Sequence, residues 1–307
     1  MNNSTNDSLL LNLSYVLVST ADVKLVCIIV ASLTIAVAIF GNSIVILSVF
    51  AVREVNRTNF MKVKVSLALS DLGYAFSVLL YIIEGFMTYS NPYQPWYISS
   101  YKWLWYIQIS SNTFFLSVSI NSLAIMALQR FYAIKEPIKY MHLSGKKQLN
   151  FIIAAWLLGF VYVGFFFLYD KLDSTLKATF GIALFWFYMA IPLTILFVCT
   201  TAMLIVFLWN KNRSDINNIG VVYSRRDHKK VVKMTALMVF GYGITCCPYL
   251  VSSARFFDEG AYLLNKENSS FQIFGLTMLH FNCIVDIIVY SAFDEHFQTH
   301  VKRICCR

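Results

Sequence analysis

The sequence predicts an all-α membrane protein: a seven-transmembrane helix bundle followed by a short C-terminal amphipathic helix. Three observations predict it. Seven stretches of about twenty residues or more carry no Lys or Arg and at most one acid, enough for a helix to cross a bilayer core of about 30 Å. Only 13% of the 307 residues are charged and 58% are hydrophobic, with a mean hydropathy of +0.62, too apolar for a domain surrounded by water. Lys and Arg gather in alternate connections, as they do where a polytopic chain is oriented by its basic loops.

Residues 1–23 form a polar segment rich in Asn and Ser. Asn2, Asn3, Asn6 and Asn12 each begin an Asn-x-Ser/Thr sequon, as does Asn268 further on, so these are candidate glycosylation sites of outer segments. The segment lacks the charged start and apolar run of a secretory signal, so the first apolar run is expected to direct its own insertion. The runs are Leu25–Val52, Val65–Ile83, Trp103–Gln129, Gln148–Tyr169, Ala178–Asn210, Met234–Ala254 and Asn268–Phe293. The second contains Asp71 and the seventh Asp286. The expected organisation is an extracellular tail over 1–23, a bundle over 24–292, and an amphipathic helix with a cytoplasmic tail over 293–307.

Arg53, Arg57, Lys62 and Lys64 fall in the first connection, Lys135, Lys139, Lys146 and Lys147 in the third, and a basic group from Lys211 to Lys233 in the fifth. The other connections carry fewer basic residues, mixed with acids. The N-terminus is therefore expected outside the plasma membrane and the C-terminus in the cytoplasm. The net charge of +9 reads as topology rather than nucleic-acid binding, because no basic tract carries interleaved stacking aromatics. None of the seven cysteines falls in an outer segment, so neither an extracellular disulfide nor a zinc site is expected. After the seventh run, Phe293, Phe297 and Val301 recur every four residues and a basic end follows, the pattern of a helix lying on membrane lipids. Cys305 and Cys306 there are candidate palmitoylation sites, with unmodified thiols as the alternative.

Polar groups inside the apolar runs carry the functional signal. Arg130 ends the third run, and it either snorkels to the interface or turns inward into the bundle. Asn282, Asp286 and Tyr290 are spaced by four on one helix face. Asn112, Ser119 and Arg130 fall near one face of the third helix, with Ser119 about 16 Å from Arg130 along the axis. A polar layer of Asp71, Ser119, Asn282 and Asp286 suits a hard cation such as Na⁺, or a shared proton. The alternative is a polar cluster that only bonds helices together.

Marker residues in most of the runs, in order, carry a resemblance that covers nearly the whole chain. They are Gly41-Asn42 with Val45, Leu67-Ala68-Leu69-Ser70-Asp71, Gln129-Arg130-Phe131 with Pro137, Trp156, Pro192, Cys246-Cys247-Pro248, and Asn282 to Tyr290 followed by Phe297. On these the chain resembles the rhodopsin-like (class A) G-protein-coupled receptors. The resemblance implies coupling through Arg130, Gln129, Phe131, Tyr290 and Thr200 to a heterotrimeric G protein. It implies a ligand pocket at Tyr81, Asn112, Leu116, Tyr188, Cys246, Tyr249 and His280, and an allosteric Na⁺ at the polar layer, with no obligatory cofactor.

The departures shape the expectations. Gln129 stands where the family has the acid that pairs with its arginine at rest, so raised basal signalling is expected. The acid usual at the foot of the sixth helix is replaced near His228. Cys246 stands at the toggle tryptophan and Thr200 at a fifth-helix tyrosine. Ile287 replaces a proline, so the seventh helix keeps a backbone hydrogen bond there and is expected to kink less. Trp105 stands at the third-helix cysteine, and the short second outer loop has no cysteine. The short loop, the missing disulfide and Asp286 resemble the melanocortin, adenosine, cannabinoid and lysophospholipid branch, although Pro192 is atypical of it. Amine receptors need an aspartate where this chain has Asn112, and opsins a lysine where it has His280. The remaining lining suits a small, neutral or amphipathic ligand, with helix packing as the alternative for each aromatic. A seven-helix carrier or channel using Asp71 and Asp286 is the competing function, but no internal hydropathy repeat supports it. A membrane enzyme is not expected, because His280 has no nucleophile or metal-ligand partner at a recognisable spacing.

Overall fold

The computed structural model describes residues 4–51, 59–90, 102–142, 145–172, 186–211, 225–258 and 274–305, with the single positions 176, 180 and 183. Within these ranges side chains are described from Leu25 onward, with gaps that include Tyr81. Among the described residues seven helices are long and apolar enough to cross a membrane: Leu25–Phe50, Met61–Leu80, Tyr106–Lys135, Gly145–Phe165, Phe187–Val206, Lys230–Val251 and Phe274–Phe293. They are numbered here as the first to seventh spans. The helix of the first span begins at Ser4, so it extends well back into the polar N-terminal segment. Pro137–Met141 forms a short helix after the third span, and Glu295–Cys305 forms the terminal helix.

The boundaries depart from the charge-free runs where a charge is accommodated instead of excluded. The helix of the second span starts at Asn59. Lys64, assigned from sequence to the first connection, lies inside the second span and is 2% exposed. A lysine buried inside a span needs an acid to pair with, and here Asp294, just beyond the seventh span, has its carboxylate 2.6 Å from the Lys64 ammonium. The helix of the third span runs on to Lys135 and holds Arg130 within it.

The third span is the hub. It packs against the second, fourth, fifth and sixth spans, while the first closes the ring against the second and seventh. The burial follows: 61% of the second span and 56% of the third is buried, against 22% of the fourth. Lipid tails are as apolar as leucine, so spans associate through close packing and internal hydrogen bonds rather than the hydrophobic effect. Small residues permit the approach. Ala31 and Ala38 face inward on the first span, while Leu33, Val37 and Phe40 face outward. A side chain at Gly41 would strike Ile287 of the seventh span, and one at Gly159 would press on Phe114 and Val118 of the third.

Two irregularities are placed by the sequence. A π-helical turn, Trp186–Ala190, leads into the helix Ile191–Lys211. Pro192 has no N–H to return to the carbonyl four residues earlier, so the widened turn sits where the ladder already lacks a bond. In the seventh span the helix Asn282–Phe293 runs unbroken through Ile287. The break lies earlier, at Phe281, where the Phe281 N–H reaches back only three residues to the Met278 carbonyl at 3.1 Å.

The terminal helix follows its expected stripe. Phe297 is 4% exposed and Val301 packs against the same core. Asp294 caps this helix: its Oδ1 accepts the Phe297 N–H at 3.0 Å.

The Gly41–Ile287 contact is expected to set how closely the first and seventh spans meet. Gly41→Ala should destabilise the protein by about 1–3 kcal/mol, read as a lower thermal midpoint in detergent. Gly243 has open space around its missing side chain, so Gly243→Ala should instead be neutral or stabilising by up to about 1 kcal/mol.

Candidate functional site

The polar groups predicted along the bundle axis are buried, and they form a chain from mid-depth toward Arg130. Asp71 and Asp286 are 1% and 3% exposed. The Ser119 hydroxyl donates to Asp71 Oδ1 at 2.7 Å, joining the third span to the second. Asp71 Oδ2 is buried and has no hydrogen-bond partner among the described residues. Asp286 lies within Coulombic reach of Asp71 on one side and of Arg130 on the other. Asn282 is buried with them, and its Oδ1 accepts from Thr245 of the sixth span at 3.3 Å. The structure thus brings Asp71, Ser119 and Asp286 together and ties Asn282 to the sixth span.

Flanking bonds fix this layer. Asn42 donates from Nδ2 to the carbonyls of Ala38 at 3.0 Å and Cys283 at 3.1 Å, stitching the first span to the seventh. The Trp156 indole N–H donates to the Ser66 hydroxyl at 3.0 Å, which lies 3.4 Å from the Ser122 hydroxyl, linking the fourth, second and third spans. Each pairs polar groups that in lipid surroundings would otherwise be left unpaired.

Arg130 turns inward. It is 5% exposed. Its Nη1 donates to the Thr235 hydroxyl of the sixth span at 2.6 Å, and the sulfurs of Met238 and Met234 lie 3.7 Å from Nη1 and Nη2. Gln129 beside it is 6% exposed, and its amide atoms find no partner among the described residues. Phe131 lies with its ring centroid 5.8 Å from the Lys135 ammonium. Tyr290 is buried, its hydroxyl 3.9 Å from the Met126 sulfur. Thr200 is not joined to Arg130; its hydroxyl donates to the Leu196 carbonyl of its own helix at 2.8 Å. Such back-bonding is the usual outlet for a threonine in a helix. Just beyond the third span, Lys139 and Glu136 pair at 2.7 Å. The Lys139 hydrogen bond lowers the Glu136 carboxyl pKa, and the same bond raises that of the Lys139 ammonium.

Toward the other end, the pocket residues engage their neighbours. Leu116, Cys246 and His280 are buried, while Tyr188 and Tyr249 are half-buried against the same core. His280 Nδ1 lies 3.0 Å from the Tyr74 hydroxyl. The Tyr188 hydroxyl donates to the Thr113 carbonyl at 3.2 Å. Asn112 Oδ1 accepts from the Ser77 hydroxyl. The Tyr81 side chain lies outside the described residues. So do Asn2, Asn3, Asn268 and Cys306, and the side chains of Asn6, Asn12 and Cys305.

Three residues that sequence reasoning missed stand beside Arg130: Thr235, Lys64 and Asp294. A signal for Lys64 existed. Lys64, Leu67, Asp71, Tyr74 and Val78 recur at three- and four-residue spacing and are all buried, so the lysine continues the inward face of its helix.

Residues 41–290 match the family model described as 7 transmembrane receptor (rhodopsin family). The chain belongs to that family. It is a multi-pass membrane protein of a receptor family, not an enzyme. A stretch of 129 residues is 36% identical to the probable G-protein coupled receptor No18 of Amphibalanus amphitrite, covering 41% of this chain and 32% of that protein. Over 296 residues the chain is 25% identical to the probable G-protein coupled receptor tkr-1 of Caenorhabditis elegans, covering 87% of this chain and 67% of the relative. Over 285 residues it is 24% identical to the melatonin receptor type 1A of Phodopus sungorus, covering 88% and 77%. The chain thus spans about a third of the length of the first relative and more of the others.

The Arg130–Thr235 contact is expected to hold the sixth span in place. Thr235→Val keeps the shape but removes the acceptor, and should lower stability by about 1–3 kcal/mol, read by thermal unfolding, whereas Thr235→Ser should retain it.

Proposed function

We propose that the chain couples binding of a small, neutral or amphipathic extracellular ligand to nucleotide exchange on a heterotrimeric G protein at the plasma membrane. The single observation that carries this reading is the buried Arg130–Thr235 contact between the third and sixth spans. Arg130 is held across to the sixth span by a hydroxyl and two thioether sulfurs, contacts with which a docking partner offering carboxylate or carbonyl oxygens competes well. Release of Arg130 frees the sixth span to move, which is a two-state population shift. The distribution of Lys and Arg supports placing this end of the bundle in the cytoplasm and the N-terminus outside. On that topology Asn2, Asn3, Asn6, Asn12 and Asn268 are candidates for glycosylation, and Cys305 and Cys306 for palmitoylation.

The residues Asp71, Asp286 and Ser119 fit an allosteric Na⁺. All are oxygen donors, one Asp71 oxygen is buried without a partner, and the two carboxylates repel each other unless neutralised. Asn282 offers a further oxygen from the same helix face as Asp286.

The decisive experiment compares ligand-free nucleotide exchange by the wild type and Arg130→Ala on a panel of purified G proteins. Exchange on at least one G protein, lost in Arg130→Ala, is the expected result; equal exchange from both rejects the role given to Arg130. Because Thr235 is a neutral partner and Gln129 supplies no acid, basal exchange should exceed that of mock membranes at matched surface expression, and a wild type equal to mock would contradict this. For the ion, NaCl should raise the thermal midpoint of the wild type more than the same concentration of choline chloride. That difference should vanish in Asp71→Asn, and its persistence would place the ion elsewhere.

A further inference from the structure

The junction between the seventh span and the terminal helix makes polar contacts in two directions. On one side, Lys64 of the second span pairs with Asp294 Oδ2 at 2.6 Å, with side chains 2% and 14% exposed. The same ammonium lies 4.3 Å from the Tyr290 ring centroid and 5.9 Å from that of Phe297. The other oxygen of Asp294 caps the terminal helix. On the other side, Glu295 pairs with Lys230 at the foot of the sixth span at 2.7 Å, and the Lys233 ammonium lies 5.3 Å from the Phe293 ring centroid. Adjacent acids thus face opposite neighbours, one toward the second span and one toward the sixth.

We propose that Asp294 and Glu295 form an acidic bridge tying the sixth span to the second across the end of the seventh, with Lys64 as the positioning residue that anchors it. The bridge coexists with the Arg130–Thr235 contact, in the arrangement where the Arg130 end of the bundle is closed. It supplies the acid-based restraint that Gln129 cannot. The two halves differ in character. The Lys64 half is buried, and a buried charge holds its partner because separation strands both groups away from water. The Lys230 half is exposed, at 34% and 80%, and yields readily. The bridge therefore opens on the sixth-span side while Lys64 keeps Tyr290 and the terminal helix seated. Its link to signalling rests on the receptor reading above; the closed geometry does not.

The test reads geometry and exchange separately. Nitroxide labels at Lys62 and Leu237, both exposed, report the distance between the second and sixth spans in a background with Cys27, Cys247, Cys305 and Cys306 each replaced by Ser. The variant Lys64→Met with Asp294→Asn replaces the ion pair by neutral groups, which buried sites generally tolerate, and asparagine keeps the helix cap. A population at longer distance should appear in this double variant, with basal exchange raised on the order of fivefold, the low end of coupling between sites in switching proteins. Lys64→Arg, which keeps the charge, should match the wild type. Glu295→Gln, at an exposed site where folding is safe, should lengthen the distance in a smaller fraction of molecules. A folded double variant with wild-type distances overturns the bridge; should that variant fail to fold, an unchanged Glu295→Gln distribution overturns it equally. A lengthened distance with no exchange from any chain, wild type included, upholds the bridge and removes the G-protein reading instead.

Discussion

A guanidinium buried at the end of the third span and bonded across to the sixth is the constraint on which the rest of this structure turns. Arg130 bonds the Thr235 hydroxyl at 2.6 Å and touches two methionine sulfurs. None of these removes its charge. Asp286, deeper in the bundle, and Asp294, at its end, also lie within Coulombic reach of it. In low-dielectric surroundings such reach is long. Asp71, Asp286, Arg130, Asp294 and Lys64 thus form a line of charged groups from the buried layer to the junction with the terminal helix.

In the proposed switch this line of groups is the route that couples the two ends of the bundle. Asp71 interacts electrostatically with Asp286, and Asp286 with Arg130. The contacts that fix the other helices, Asn42 to the Cys283 carbonyl and Trp156 to Ser66, are neutral and buried, and they hold a frame against which the charged axis works. In the proposed switch the sixth span is the member that moves. It is joined to the hub by one hydroxyl and two soft sulfur contacts, and to the terminal helix by an exposed pair.

Much of this was legible in the sequence. Seven apolar runs, the inward acids and the amphipathic end follow from periodicity and from the cost of charge in lipid, and the structure has seven such spans and a terminal helix with Phe297 buried. The join between Ser119 and Asp71 was legible too, because both lay at polar positions of apolar helices. What escaped was pairing at long range. From sequence Lys64 reads as a loop residue, because a charge normally ends a span; its partner Asp294 lies 230 residues away, and nothing in the sequence pairs the two. Thr235 looked like any threonine in a helix until the third span was laid beside it. The break at Phe281 carries no proline or glycine to announce it. Thr200 occupies the place where a partner for Arg130 was sought, yet its short side chain satisfies itself on its own helix.

The central claim is that the Arg130 end of the bundle opens by parting the third and sixth spans. It is tested most directly by the distance between nitroxide labels at Lys135 and Leu237, measured by double electron–electron resonance with and without a saturating nucleotide-free G protein. The account predicts a closed population in the receptor alone and a longer distance that grows as the G protein is added and reverts with excess guanine nucleotide. A single distance, unchanged at saturation by a G protein that demonstrably binds, would contradict it.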